Sequence, residues 1–413
     1  MSIARNNDSR SLCFSYENVV CTTVVFWVFC RLTFDWSALV LDSSAWSVYV
    51  NCISFVFHLM ALWLVIMCFV LRPFRSSPVQ IVCIVLLALV LLISSIRIQN
   101  SNLLFAFSIV LAASQVNMRK LARWYLVATV VFLLVLFYLL LRGKIENVAA
   151  QPNDRVVYSY GMPHPNMLGM ELVAVGMSSL YAFWDKRLWR WCALYCGMAS
   201  IFCLWLLSSR TSFLLLGVLS LVAILAHCRH PACMWMKDFA KDKLALVALL
   251  VFVVLLSASV LGMLFYSKDV PFLVYLNRLV SGRLELAHQA FVSNDGFTFL
   301  GRFIKFNGTT AITSNPALTY TQVDNGYARA GITIGTSSFV ALSCIFIISI
   351  AVLAQRKDYF GIILLCLSSI YLAMESGAIY LSRDFAVLLL GSAFSDSVIP
   401  CLKKIASSSR TRG

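Results

Sequence analysis

The sequence predicts an all-α fold: a polytopic membrane helical bundle of about twelve transmembrane helices, with both termini cytoplasmic and one large extracytoplasmic loop. The first observation is compositional, because 61% of the 413 residues are apolar, only 12% are charged, and the mean hydropathy is +0.85. A soluble domain of that composition could not cover its surface with polar side chains. The second observation is that the apolar residues form uninterrupted runs of about bilayer length rather than amphipathic stripes.

These runs predict twelve spans within a single polytopic domain over residues 1–413. The first span follows a polar segment, and we interpret it as an anchor rather than as a cleaved signal peptide. The predicted spans are residues 18–34, 46–71, 79–96, 103–118, 121–142, 166–184, 189–207, 212–227, 244–266, 326–354, 360–375 and 378–394.

The third observation concerns the loops, because alternate loops hold most of the 33 basic residues. Such loops and both termini are predicted to lie in the cytoplasm. The net charge of +15 is therefore largely a topological signal, with attraction to anionic lipids, and does not indicate a nucleic-acid partner. Two long loops, 143–165 and 267–325, are predicted to face outward. Neither contains a cysteine, which excludes disulfide stapling of these loops.

Two prolines enclose a histidine just before the sixth span, in the segment "YSYGMPHPNMLGM" (residues 158–170). Pro163 and Pro165 restrict His164 to extended geometry. Asn166 is predicted to cap the sixth span, which would leave His164 at the outer mouth of the bundle. The alternative is an ordinary solvated loop histidine.

Two further helix starts on the predicted outer side carry charged residues. Arg210 lies in the turn 208–211, while Asp324 precedes Asn325 and Tyr327 at the start of the tenth span. Helix N-termini offer free N–H groups and partial positive charge, which suit phosphate oxygens. The alternatives are an Arg210 that contacts lipid phosphates and an Asp324 that serves only as a helix cap.

The large loop contains "YLNRLVSGRLELAHQAF" (275–291), whose apolar face predicts a helical segment along the membrane surface. Arg278 and Arg283 lie on its polar side, and a bend at Ser281-Gly282 would let them converge on one ligand. They could equally be interfacial anchors. The sequence has no metal-ligand spacing, P-loop or dinucleotide fingerprint, so neither a metal nor a cofactor is expected.

Several short segments together resemble the bacterial O-antigen polymerase and ligase superfamily, in particular its polymerase (Wzy-like) branch. They are "YGMPHPNMLG" (160–169), "SSRTSFLLL" (208–216), "LNRLVSGRLELAHQAF" (276–291), "FLGRF" (299–303) and "DNGYARAGITIG" (324–335). They occur in order across spans six to ten, about half of the chain. The ligase branch usually has a histidine near the start of the helix after the large loop. Asp324 stands there in this chain, which favours the polymerase branch.

The resemblance implies a GT-C-type membrane glycosyltransferase at the outer face of the bacterial cytoplasmic membrane. Its substrates would be undecaprenyl-pyrophosphate-linked oligosaccharide repeat units, as donor and as acceptor, joined into O-antigen, capsule or exopolysaccharide. The reaction would need no metal, because pyrophosphate is already a good leaving group and arginines can neutralise its growing charge. A chain-length regulator and a flippase of the same pathway would be partners.

The resemblance also implies roles for individual residues. The base for the acceptor hydroxyl is left open between His164 and Asp324. The arginines assigned to pyrophosphate are Arg210, Arg278 and above all Arg283. The residues expected to orient the sugars or the loop are Asn166, Asn325 and Tyr327.

Three other functions remain open from the sequence. A ligase would transfer the finished glycan to a terminal acceptor. A transporter or flippase would move the lipid-linked sugars, and such proteins tend to place charges at the bilayer midplane and to show repeated halves. A non-catalytic partner in polysaccharide assembly would tolerate the loss of these arginines.

Overall fold

The computed structural model describes residues 5–36, 56, 59–60, 62–66, 78–100, 102–147, 149–150, 156–228, 231–306, 321–395 and 398. Most of the predicted second span, 46–71, lies outside these described residues. The described elements are α1 (Arg5–Trp36), α2 (Pro78–Arg97), α3 (Asn102–Ala113), α4 (Met118–Leu141), β1 (Ala149–Ala150), β2 (Val157–Tyr158), α5 (Pro165–Phe183), α6 (Trp189–Trp205), α7 (Arg210–His227), α8 (Pro231–Phe265), α9 (Pro271–Leu279), α10 (Arg283–Ser293), α11 (Gly326–Ile334), α12 (Thr336–Gln355), α13 (Tyr359–Met374), and two 3₁₀ helices (Ser376–Ile379 and Phe385–Phe394).

The prediction of an all-α fold is confirmed for the part of the chain that the structure describes. Its one sheet is the antiparallel pair β1–β2, in which Ala149 lies opposite Tyr158. Five helices of this part are long and apolar enough to cross a membrane, judged by length and composition. They are Gln80–Arg97, Met118–Leu141, Arg210–His227, Lys243–Phe265 and Thr336–Gln355.

The predicted tenth span, 326–354, is not one helix. It is divided into α11 and α12 at Gly335, whose φ of +86° and ψ of 155° are incompatible with a helix. The loop segment 298–302 lies against the break, where Thr298 O accepts a hydrogen bond from Thr336 N–H at 2.9 Å. The apolar residues on both sides predict one continuous span, although the Gly-Thr-Ser-Ser stretch at 335–338 is typical of a helix interruption.

The predicted twelfth span, 378–394, also differs from an α-helix. Its second half is a 3₁₀ helix, Phe385–Phe394, whose first turn is capped by the Asp384 side chain. Gly391 lies against the backbone of α3, because a Cβ at this position would be 2.7 Å from Val110 O. A 3₁₀ helix rises about 2.0 Å per residue, so this segment is longer than an α-helix of the same number of residues.

The chain divides into two compact units. The first comprises Met1–Arg75, Phe105–Asp242 and Tyr380–Gly413. Within it α4 packs against α1 and α5, and α5 also contacts α6 and α7. Gly169 of α5 allows close packing, since a Cβ there would be 2.6 Å from Ser212 Oγ. As a result, α5 and α7 meet near their N-terminal ends.

The second unit comprises Ser76–Leu104 and Lys243–Ile379. Within it α12 packs against α2, α11 and α13, and α11 also contacts α10 and α13. Ser94 Oγ of α2 donates to Ile334 O at 3.2 Å, which satisfies a carbonyl at the C-terminal end of α11. A buried apolar cluster joins α8, α10 and α11 through Met263, Ala287, Ala290, Val323, Ala328 and Ile332.

Candidate functional site

The turn between α9 and α10 places Arg283 at the first position of α10. Ser281 and Gly282 both have positive φ, of 58° and 81°, so the predicted bend at this dipeptide is confirmed. Asn277 fixes the turn because its Oδ1 accepts hydrogen bonds from the N–H groups of Leu284 and Glu285, both at 3.1 Å. The end of α9 therefore caps the start of α10, which holds the Arg283 backbone in place.

The Arg283 guanidinium lies between two carboxylates. Its Nη2 donates to Glu375 Oε1 at 3.0 Å, and its Nε lies 3.9 Å from Asp324 Oδ2. The side chains of Arg283 and Glu375 are only 14% and 10% exposed, whereas that of Asp324 is 28% exposed. The contact with Glu375 is therefore a true hydrogen-bonded ion pair, while the contact with Asp324 is looser and more open to solvent.

The start of α11 brings Asp324 to this position. Asn325 caps α11 by accepting from Ala328 N–H at 2.9 Å, and its Nδ2 donates to Ala373 O at 3.0 Å, near the end of α13. Gly326 lies directly on that end, since a Cβ there would be 2.9 Å from Leu372 O. The helix start that carries Asp324 is thereby tied to the helix end that carries Glu375.

A second arginine acts on the same carboxylate. Burial raises the pKa of Asp324 above its ordinary value, and the positive charges of Arg283 and Arg329 oppose that rise. Arg329 Nη1 donates to Ser376 Oγ at 3.1 Å, and its guanidinium lies 4.9 Å from the centre of the Phe306 ring. We refer to Arg283, Arg329, Asp324 and Glu375 as the charged cluster. Its raised pKa makes Asp324 a stronger base than an ordinary aspartate once it is ionised.

Asn325 and Tyr327, which are predicted to orient sugars or the loop, make internal contacts. Besides its cap, Asn325 donates from Nδ2 to Ser259 Oγ at 2.9 Å. Tyr327 is 4% exposed, and its hydroxyl donates to Ser369 O at 3.1 Å. Both side chains hold α11 in place, and their hydrogen-bonding groups face neighbouring helices.

In the first unit, the predicted cap of α5 is wrong by two residues. The N-cap is His164, whose Nδ1 accepts from Asn166 N–H at 3.2 Å, and Asn166 lies inside the first turn. The physical reason is Pro165, because proline suits the first helical position and starts the helix before Asn166. Burial lowers the pKa of His164 and so favours the neutral ring. With Nδ1 accepting, the neutral ring carries its proton on Nε2, and Nε2–H is a donor rather than a base.

Arg210 and Arg278 are both exposed residues near helix ends. Arg210 is the exposed first residue of α7, in the first unit, next to the serine-rich turn that packs on Gly169. Arg278 is exposed near the end of α9, in the second unit. Neither side chain makes a hydrogen bond or ion pair within the described part of the chain. The convergence of Arg278 and Arg283 on one ligand stays a prediction, and the groups that contact Arg283 are the carboxylates of Glu375 and Asp324.

Charged residues near the predicted outer ends of spans eleven and twelve have partners that the sequence did not indicate. Glu375 pairs with Arg283 in the second unit. In the first unit, the buried Arg383 Nε lies 3.7 Å from Oε1 of Glu171, a fully buried residue of α5. A charged residue inside an apolar run indicates a buried polar contact. Glu171 and Arg329 are such residues, although neither is among the residues predicted for the site.

Helix length and composition are those of a membrane-embedded, all-α protein, and the charged cluster is its best-defined polar site in the described residues. No protein-family model matches the chain, and no curated protein or solved structure matches it. Among the described residues, no group of three or more His, Cys, Asp or Glu side chains could hold a metal ion.

Proposed function

We propose that this protein is a metal-independent glycosyltransferase that polymerises undecaprenyl-pyrophosphate-linked oligosaccharide repeat units into surface polysaccharide. In this proposal the chain crosses the bacterial cytoplasmic membrane about twelve times, with both termini inside and the site facing outward. The observation that carries the proposal is the contact of Arg283 with Asp324 and Glu375 at the ends of apolar helices. A guanidinium beside a carboxylate base is the minimum that this transfer requires.

The proposed chemistry divides between these two groups. Asp324 accepts the proton of an acceptor sugar hydroxyl while the hydroxyl oxygen attacks the anomeric carbon of the donor. The bond from that carbon to the pyrophosphate oxygen breaks, and the electron pair leaves with the lipid-linked pyrophosphate. Arg283 stabilises the negative charge that develops on this leaving group.

Asp324 is the better of the two candidate bases. The basic Nδ1 atom of His164 already accepts a hydrogen bond from the helix backbone, whereas neither Asp324 oxygen is committed to a helix cap. His164 with Nδ1 accepting is left as a neutral hydrogen-bond donor through Nε2. Asn166 and Arg210 belong to the first unit, and their roles in binding sugar and phosphate groups stay predictions.

One observation favours a second candidate function, transport of the same lipid-linked sugars. Glu171 and Arg383 are a buried pair of charges within an apolar helical region, and charges inside membrane bundles often mark transport pathways. A flippase would be needed before any polymerisation. Its loss would therefore trap lipid-linked units on the inner side of the membrane instead of leaving single units outside.

The test is the size of the surface glycan in a strain lacking this protein, complemented with wild type, Asp324→Asn or Asp295→Asn. Asn keeps the shape of Asp324 but cannot take a proton. Asp295 is an exposed acid of the same loop at a φ of 52°, which Asn tolerates, and is the matched control. All three proteins are compared at equal membrane abundance.

We expect polymer ladders with wild type and Asp295→Asn, and single repeat units with Asp324→Asn. A full ladder from Asp324→Asn would remove this residue from the mechanism. If the deletion strain makes full-length polymer that stays on its carrier lipid, the protein is a ligase. If its lipid-linked units accumulate on the inner side, the protein is a flippase.

A further inference from the structure

We infer that Arg329 is a second anion-binding residue of the charged cluster and that Glu375 and Ser376 are positioning residues for its two arginines. The inference rests on the proposed function and adds to it the residue that shares the pyrophosphate with Arg283. Its ligand is of one chemical class, a phosphate or pyrophosphate ester. Arg329 thereby takes the place that was predicted for Arg278.

Two consecutive residues hold the two guanidinium groups. Glu375 Oε1 accepts from Arg283 Nη2 at 3.0 Å, and Ser376 Oγ accepts from Arg329 Nη1 at 3.1 Å. Glu375 is the extended C-cap of α13, and Ser376 begins the 3₁₀ helix that follows. The positive charges of both arginines act on Asp324, so both guanidinium groups lie near this carboxylate.

Arg329 is held more firmly than Arg278. It lies one turn into α11, is partly buried, and contacts the Phe306 ring as well as Ser376. Arg278 is exposed at the end of α9. An arginine fixed before the ligand arrives loses less side-chain entropy on binding than a free surface arginine.

The charges of the four cluster residues explain how a phosphate group could bind among them. The charged cluster holds two guanidinium groups and two carboxylates, so it is neutral and stable without ligand. Asp324 is the weaker competitor for Arg283, since its 3.9 Å contact is longer than the 3.0 Å contact of Glu375. A phosphate oxygen can therefore displace Asp324 from the arginines while Glu375 and Ser376 keep holding them.

The test is binding of inorganic pyrophosphate to the purified full-length protein in detergent, measured by titration calorimetry. The variants are Arg283→Gln, Arg329→Gln and the control Lys305→Gln, which removes one positive charge from an exposed residue of the same unit. We expect the first two variants to bind about ten- to hundred-fold more weakly, the loss of one charge-assisted hydrogen bond. Lys305→Gln should bind as wild type does.

Two variants separate positioning from structure. Ser376→Ala keeps the Arg329 charge but releases its Nη1, so we expect a smaller loss of pyrophosphate affinity than with Arg329→Gln. Arg329→Lys keeps the charge without the fork geometry and should recover part of the affinity. If Arg329 were merely structural, Arg329→Gln would lower the thermal stability of the protein, and the protein that remains folded would bind pyrophosphate as wild type does.

The outcomes distinguish this inference from the proposed function. Wild-type affinity in Arg329→Gln would overturn the inference, as would an equal loss in Arg278→Gln. A polymer ladder lost in Asp324→Asn would leave the glycosyltransferase proposal intact in either case. If pyrophosphate binding depends on Arg329 but no variant changes the surface glycan, the anion site stands and the polymerase proposal falls.

Discussion

The break between α11 and α12 gives a sharp test of the fold, through the single substitution Gly335→Ala. Gly335 has a φ of +86° and ψ of 155°, a region that is essentially open only to glycine. A Cβ at this position would lie 2.2 Å from Gly301 N. The atoms in contact are backbone, so they cannot turn aside as a flexible side chain can.

The size of the effect follows by comparison with Gly282→Ala. Gly282 has nearly the same φ, +81°, with a ψ of 2°, and a Cβ added there would have no heavy atom within 4 Å. Gly282→Ala should therefore cost only the left-handed conformation, about 1–2 kcal/mol in the free energy of unfolding. Gly335 has a less favourable conformation for alanine, and the added Cβ would also overlap the backbone of Gly301. We therefore expect Gly335→Ala to lower the free energy of unfolding by more than about 3 kcal/mol.

The assay is the apparent Tm of the detergent-purified protein, together with its abundance in membranes. Gly282→Ala should lower the apparent Tm by a few degrees, since about 1 kcal/mol has an effect of that order in a domain of this size class. Gly335→Ala should accumulate poorly or melt well below Gly282→Ala. If the two variants are equally stable, loop 298–302 does not lie against the helix break, and this part of the fold is wrong.

Two further predictions concern helix starts. Asn277→Ala removes the side chain that caps 283–293, so the free energy of unfolding should fall by about 1–2 kcal/mol. Asn277→Asp keeps the accepting oxygen but replaces the Nδ2 donor, 3.4 Å from Glu285 Oε2, with a second carboxylate oxygen, so it should lose at least as much by the same Tm assay. His164→Ala loses its cap and should cost about 1 kcal/mol, whereas His164→Asn should not, because Asn is a good N-cap. Burial holds the pKa of His164 below its ordinary 6.5. The contribution of this group to the free energy of unfolding is therefore fully present above pH 6.5, and it is lost as the pH drops toward the folded pKa. The Tm of His164→Asn should lack this fall, and an equal fall in both proteins would refute the role of the ring.

The sequence could predict helices because hydropathy is a property of each residue, and membrane helices need little more. It could not predict their interruptions. Residues 326–354 are mostly apolar apart from Arg329 and the short stretch 335–338, and the break at Gly335 is fixed by contact with a loop segment more than thirty positions earlier. The 3₁₀ form of Phe385–Phe394 likewise accompanies close packing of Gly391 on the backbone of a distant helix.

The site was partly predictable for the same reason. Asp324 stood out as a charge at a helix start and Arg283 as a charge on the polar side of a loop helix, and the structure brings them together. Their companions Glu375 and Arg329 are distant in sequence and were visible only as charges in apolar surroundings. Which charged residues come into contact depends on how α10, α11 and α13 pack together, and no local sequence pattern encodes that packing.

The unequal contacts within the charged cluster suggest an order of events in the proposed reaction. Glu375 is more buried and closer to Arg283, so it stays and fixes the guanidinium, whereas the more exposed Asp324 yields to the incoming phosphate. An Asp324 separated from Arg283 and Arg329 loses the charges that now oppose the rise in its pKa. Its affinity for a proton therefore increases when the donor binds, at the moment when the acceptor hydroxyl must be deprotonated. Anion binding and base strength are thus coupled through the same two arginines, and removing either arginine should weaken anion binding while it raises the pKa of the ligand-free Asp324 further.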